Sequence, residues 1–340
     1  MGKIAMDEKL WSRRLAAYKL PRNGRALWEL TATVVPYFAG ICAMYFALQI
    51  GVWLTLLLAI PTGAMLVRLF TIQHDCGHYA FFTSRKANDW LGRLLGVFTY
   101  TPFDDWRREH ALHHAGSGNL DRRGFGDIDT LTVREYQQRS SFGKWKYWLY
   151  RHPVVMFAIG PAYQFLLRQR LPTGELKTAM PIWSTMSTNV GIVVVSGIMI
   201  WLMGWQAFLL VQIPVVIVGG ALGIWLFYVQ HQYEETHWDF ADEWQREHAA
   251  LHGSSFYDLP KWMMWLTGNI GIHHVHHISS QIPFHVLPKV LDDYPELREI
   301  NRLGLWDSIK CMPLALWCEE QRKLISFRQA RRMQAVPVQA

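Results

Sequence analysis

The sequence predicts an all-α integral membrane protein, with four transmembrane helices in two hairpins and a histidine-rich site for two metal ions on the cytosolic side. Three observations predict it. Two long stretches, residues 31–67 and 178–233, contain no Asp, Glu, Lys or Arg. A helix needs ~20 apolar residues to cross the hydrocarbon core, so each stretch supplies two crossings. Most of the fifteen histidines gather in short clusters outside those stretches. The turns between paired crossings lack Lys and Arg, whereas the histidine side is rich in them.

The elements follow in order. Residues 1–27 carry Lys3, Lys9, Arg13, Arg14, Lys19, Arg22 and Arg25, with Leu10, Trp11 and Leu15 as apolar anchors. No apolar h-region separates these charges, so no cleavable signal peptide is expected and the first apolar run is read as an anchor. The first span is placed at about 30–50 and the second at about 54–72, which delivers His74 at its far end. Residues 79–150 are polar and aromatic. Residues 152–167 are apolar but short and interrupted by Pro153 and Pro161, as expected for an interfacial or re-entrant helix. The third and fourth spans are placed at about 184–203 and 207–230, with Gly204 and Trp205 in their turn and His231 at the exit. The chain is then polar, apart from an amphipathic aromatic stretch at 262–266. This divides it into a basic segment (1–27), a principal domain (28–290) and a cytosolic tail (291–340). An even number of crossings returns both termini and every histidine cluster to one side, the cytoplasmic one by the distribution of basic residues.

The formal net charge is +7. The simplest account is the positive-inside rule with attraction to anionic lipid, and a sharper one is a docking face for an acidic electron carrier. No nucleic-acid motif is present. Cys42, Cys76, Cys311 and Cys318 form no CxxC pair and are read as free thiols.

The clusters read His74-Asp75-Cys76-Gly77-His78, His110-Ala111-Leu112-His113-His114 and His273-His274-Val275-His276-His277. On a helix His74 and His78 share a face, as do His110 and His113. His114 lies about 100° round from His113, so the adjacent pair can serve different metals. The third cluster repeats the pattern with His273, His276 and His277. These eight histidines exceed what one tetrahedral ion uses, and His231 offers a ninth ligand. His274 is read as a supporting residue, leaving the ligand at 273 or 274 open. His237, His248, His252 and His285 fit no spacing. Asp75, Glu109, Asp121, Asp127, Asp129, Glu234 and Glu235 are candidates to accept hydrogen bonds from the ligands. A zinc hydrolase needs only three protein ligands and one open position. An all-nitrogen site for two metals beside membrane spans suits iron, O2 and an apolar substrate arriving from the bilayer.

The stretches HDCGH followed by Phe81 and Phe82, WRREHALHH from Trp106, FYVQHQYEETHW from Phe227, and GNIGIHHVHH from Gly268 followed by Ile282 and Pro283 carry a family resemblance. Over roughly residues 30–290 the chain resembles the membrane-bound fatty acid desaturases, most of all the omega-6 and omega-3 (methyl-end) acyl-lipid branch. The resemblance implies a helical membrane domain with a cytosolic helical cap, and a non-haem di-iron centre held by His74, His78, His110, His113, His114, His231, His273, His276 and His277. It also implies insertion of a cis double bond into a fatty acyl lipid or acyl thioester, with O2 as co-substrate. No HPGG haem motif is present, so the two electrons are expected from a separate donor such as ferredoxin or cytochrome b5. A bacterial inner membrane is the expected location. A hydroxylase or ketolase of the same superfamily would share the ligands and is separated by its product. A metal transporter would place ligands within the spans, which are free of histidine until their exits. The acyl chain is expected in a tunnel lined by residues 154–167 and by Trp262, Met263, Met264 and Trp265.

Overall fold

The computed structural model describes residues 8–172 and 179–335; Lys3 and the rest of residues 1–7, residues 173–178 and residues 336–340 lie outside them. A short helix α1 (Glu8–Arg14) precedes two long helices, α2 (Asn23–Ala47) and α3 (Val52–Gly77). The helices α4 (Arg85–Phe98) and α5 (Phe103–Gly116) follow, then a second long pair, α6 (Met180–Met203) and α7 (Trp205–His231). Among the described residues, four helices, α2, α3, α6 and α7, are long and apolar enough to cross a membrane. α2 (Asn23–Ala47) both begins and ends earlier than the span expected at about 30–50, whereas α3, α6 and α7 cover their expected spans and run slightly beyond them. Pro36, Pro61 and Pro214 lie inside α2, α3 and α7, as neighbouring helices allow in membrane spans. Gly204 turns the chain between α6 and α7 with φ +83°, a torsion that disfavours any side chain.

Burial separates these helices by role. Half of the most apolar window of α3 is buried, but only 6% of that of α6. α6 is therefore peripheral, and α3 and α7 form the centre. They approach closely because both are glycine at the contact: a Cβ on Gly219 would lie 3.1 Å from the Gly63 carbonyl oxygen. That contact sets the exits of the two helices, at His74 and His231, side by side.

The first charge-free run ends at Arg68, and the structure buries it. Arg68 is 1% exposed, and its Nε donates to Thr33 Oγ1 at 3.0 Å while Nη2 meets Glu29 at 2.5 Å. A further N–H of Arg68 donates to the Trp265 carbonyl, and the guanidinium lies 4.2 Å from the Trp265 ring centre. This anchors α8 (Lys261–Leu266) on α3. Trp262 and Trp265 remain 65% and 43% exposed, so the aromatic stretch faces outward.

The cap is not purely helical. Strand β1 (Leu131–Thr132) runs parallel to β4 (Leu314–Cys318), which pairs antiparallel with β5 (Lys323–Ser326). Separately, β2 (Phe256–Asp258) runs parallel to β3 (Arg302–Gly304). All of Leu314–Cys318 is buried, and a short continuous apolar run of this kind has no periodicity to distinguish strand from helix. The Tyr228 hydroxyl donates to the Leu314 carbonyl at 2.7 Å, joining this sheet to the end of α7. Cys42, Cys76, Cys311 and Cys318 are free.

Candidate metal centre

The three clusters reach one place by three routes. His74 rides the last turn of α3, and His78 caps that helix. His110, His113 and His114 lie in the last turns of α5. His273, His276 and His277 lie on the short helix α9 (His273–Ile278), whose first amide donates to the Ser255 carbonyl at 3.2 Å. His231 ends α7. Gln230 Nε2 donates to the Ile270 carbonyl at 3.0 Å, which ties that helix end to the loop leading into α9.

Among the described residues, nine histidines then separate into two groups capable of holding a metal ion. His74, His78, His110, His114 and His276 form one, and His113, His231, His273 and His277 the other, with ligand atoms in each group within 4.8 Å of one another. The adjacent residues His113 and His114 fall into different groups, as do His276 and His277, because each pair is separated by about 100° of helix. The groups touch: the rings of His114 and His277 stack at 4.3 Å. The second group is fully buried, and the first is partly open through His78, His110 and His114.

The nitrogens converge in a way that neutral imidazoles alone do not satisfy. His110 Nε2 lies 3.1 Å from both His78 Nε2 and His114 Nε2, and His114 Nε2 lies 3.1 Å from His276 Nε2. His273 Nε2 lies 3.0 Å from His231 Nε2 and 3.1 Å from His277 Nε2. A ring nitrogen carries either one hydrogen or one lone pair, so it cannot bond fully to two such neighbours. Nitrogens held at about 2.1 Å from one cation and at right angles to each other would lie about 3.0 Å apart. Burial, and then the neighbouring imidazoles, hold His78, His110, His114, His273, His276 and His277 well below the ordinary imidazole range. They are therefore neutral at pH 7, the form that binds metal. A cation in each group fits this donor set.

Outer partners fix two tautomers. His113 Nδ1 meets Asp127 Oδ1, leaving a buried Nε2 with no protein partner. His231 Nδ1 donates to the Gly253 carbonyl at 3.2 Å, which turns its Nε2 toward the other imidazoles. Of the seven candidate acids, only Asp127 bonds directly to a ligand histidine of these groups. Asp75 lies 3.5 Å from His74 Nδ1, and its other oxygen accepts from the Phe284 amide at 2.8 Å. Glu109 lines the cavity described below. Asp121 accepts from the Ala241 amide, Asp129 engages Tyr147 and Arg151 through its carbonyl, and Glu234 pairs with Lys323, while Glu235 is exposed. His274 stands outside both groups, with Nε2 donating to the Leu297 carbonyl at 2.9 Å. His237, His248, His252 and His285 also stand outside them. His237 instead meets Asp239, an acid that no sequence spacing singles out. Asp127→Asn should lower metal affinity by about 10–100-fold, measured by competition with a chelator, because the imidazole loses its orienting acceptor.

A cavity of about 620 Å³ meets both groups, at His74, His110 and His273. Its walls are mostly apolar, from α3 (Leu66, Val67, Phe70), α7 and the segment 155–165, with Glu109, Asp127 and Gln230 near the metal end. Its size is that of a pocket for a small organic ligand. The expectation for the wall is half right. Val155, Met156, Ile159, Tyr163 and Phe165 line it, in a helix of wide π-type turns, whereas Trp262, Met263, Met264 and Trp265 do not. Those four belong to α8, which Arg68 of α3 holds through the carbonyl and ring of Trp265.

The family model described as "Fatty acid desaturase" matches residues 51–307, a range that includes all nine histidines. The chain is 39% identical over 96% of its length to "Fatty acid desaturase" of Bacillus subtilis (strain 168), covering 92% of that protein. It belongs to the fatty acid desaturase family. It is also similar to "sn-1 oleoyl-lipid 12-desaturase" of Anabaena variabilis, at 27% identity over 77% of this chain and 74% of that one. Against "sn-1 acyl-lipid omega-3 desaturase (ferredoxin)" of Nostoc sp. (strain 36) the identity is 25% over 68% of this chain and 64% of that one. This desaturase is thus an oxidoreductase of lipid metabolism, a membrane protein by its four apolar helices, with histidine groups able to hold metal.

Proposed function

We propose that this desaturase introduces a cis double bond into the acyl chain of a membrane lipid or thioester. Two adjacent methylenes each lose one hydrogen, O2 takes up four electrons, two from the carbon chain and two from a donor protein, and with two further protons two waters form. The observation that carries the reading is the long apolar cavity that ends on both histidine groups. The names of the Anabaena and Nostoc relatives support a lipid-linked substrate, and the latter supports ferredoxin as the donor, with cytochrome b5 as the other carrier class.

The nine histidines would hold two irons, five nitrogens for one and four for the other. A five-nitrogen set exceeds the tetrahedral preference of structural zinc. Bound there, the irons would supply the redox chemistry with O2 that removal of hydrogen from an unactivated C–H bond requires. The rest falls to the chain. The apolar walls take up an acyl chain and exclude water from it. The channel holds one methylene pair beside His74, His110 and His273, and position replaces intrinsic reactivity as the source of selectivity. Asp127 and the Gly253 carbonyl keep two imidazoles turned inward. The two helix pairs, α2 with α3 and α6 with α7, are read as hairpins in a bacterial inner membrane, with the site and both termini cytoplasmic. The Lys- and Arg-free turns at 48–51 and Gly204 support that orientation.

The test is gas chromatography–mass spectrometry of lipids from a host expressing the chain. A new unsaturated acyl product, absent from the empty host, is expected. A hydroxylated or keto product in its place would overturn the reading in favour of an oxygenase.

A further inference from the structure

The wall that α7 gives the cavity includes one stripe, Val216, Gly219, Gly220, Gly223, Phe227 and Gln230. It runs about 21 Å along the helix axis from the deep end to the metal centre. Three of these positions are glycine, and glycine inside a helix is about 1 kcal/mol less favourable than alanine. Two have a packing reason. A Cβ on Gly219 would lie 2.9 Å from Leu66 Cδ2, so its absence lets α3 and α7 touch. A Cβ on Gly220 would lie 2.8 Å from the Phe165 ring and 3.1 Å from Pro161, so its absence seats the wide-turn segment. Gly223 has no such reason. A Cβ there meets nothing within 4 Å, and the residue lies in mid-helix with no left-handed torsion. Gly197 in α6 also meets nothing, but it does not line this cavity. What a side chain at 223 would occupy is the channel itself, about 12 Å along α7 from His231.

We propose that Gly223 is a specificity-determining residue: by leaving the channel open at that level, it sets how far one end of the acyl chain runs past the metal centre, and therefore which carbon pair is oxidised. The inference rests on the desaturase reading above. Beyond Gly223 the cavity continues along Gly220, Gly219, Val216 and Leu66. A chain end housed there must pass Gly223. A side chain at 223 closes the passage, so fewer carbons fit between that end and the metals. The double bond then moves toward that end, or shorter chains are selected.

The test uses the full-length protein as Gly223→Ala, Gly223→Val and Gly223→Leu, with Gly197→Leu as a control outside the channel. Two quantities are read: double-bond position and chain length of products in the host, and displacement of a fluorescent fatty acid from purified protein by lauric or stearic acid. Gly223→Leu should weaken stearic acid relative to lauric acid by roughly tenfold or more, the effect of a methylene or two in an apolar pocket. Its products should shift toward the chain end or to shorter chains, with Gly223→Val between. Gly223→Ala should melt no lower than the wild type, since alanine favours the helix and meets no neighbour. Gly197→Leu should change neither readout. If the wild type forms no unsaturated product, the desaturase reading fails, while the binding series still judges the channel. If the wild type desaturates and the folded valine and leucine variants keep its products and its stearic acid binding, the inference is overturned.

Discussion

His113→Ala should abolish desaturation completely while the protein still inserts into the membrane at normal levels. Insertion depends on the apolar helices, which this residue does not join. The imidazole is buried, held by Asp127, and carries the inward Nε2 that no protein atom satisfies. Its loss removes one of four nitrogens from the second group. His277→Ala should behave alike, and His110→Ala should do the same to the first group, where His110 Nε2 touches two neighbouring imidazoles. Iron content of purified protein, expected near two per chain in the wild type, should fall in each variant. His248→Ala and His252→Ala, outside both groups, should keep most activity. Equal loss in both sets of variants, with iron retained throughout, would refute the assignment.

The residue types at this centre are legible in the sequence because clustering is a local property. So are the four apolar helices, since hydrocarbon thickness fixes the length of an uncharged run. The division into five and four is not legible. The helix angle separates His113 from His114, but which group each joins depends on where α3, α7 and α9 meet α5. Asp127 cannot be told from the six other candidate acids by spacing, because loop geometry decides which carboxylate faces His113. The Gly253 carbonyl leaves no trace in residue type at all. The strand Leu314–Cys318 escapes sequence reading because a short apolar run has no period. Trp262 and Trp265 fall wrongly on the expected tunnel wall for a related reason. An aromatic stretch beside a metal cluster looks the same from sequence whether it faces a substrate or the outside.

Glu29→Ala should destabilise the protein by about 3–5 kcal/mol, because it strands a charge that the fold has taken out of water. Arg68 is 1% exposed and its side-chain partners, Glu29 and Thr33, are buried with it. Arg25, which also reaches Glu29 at 2.6 Å, is half exposed and can return to water when the carboxylate is removed. Arg68 cannot. It would keep the Trp265 carbonyl and ring on one side and Thr33 on the other, with no counter-charge. The double variant Glu29→Leu with Arg68→Met should recover much of the loss, since an apolar pair of similar volume avoids the desolvation of both ions. The measurement is melting temperature in detergent, with iron content alongside. Recovery of stability in the double variant should not fully restore activity. Arg68 also fixes α8 through Trp265, and its guanidinium lies 5.3 Å from the Phe284 ring centre, in the loop after the third histidine cluster whose amide Asp75 holds. A double variant as unstable as Glu29→Ala would show that the cost lies in lost contacts and not in the unpaired charge.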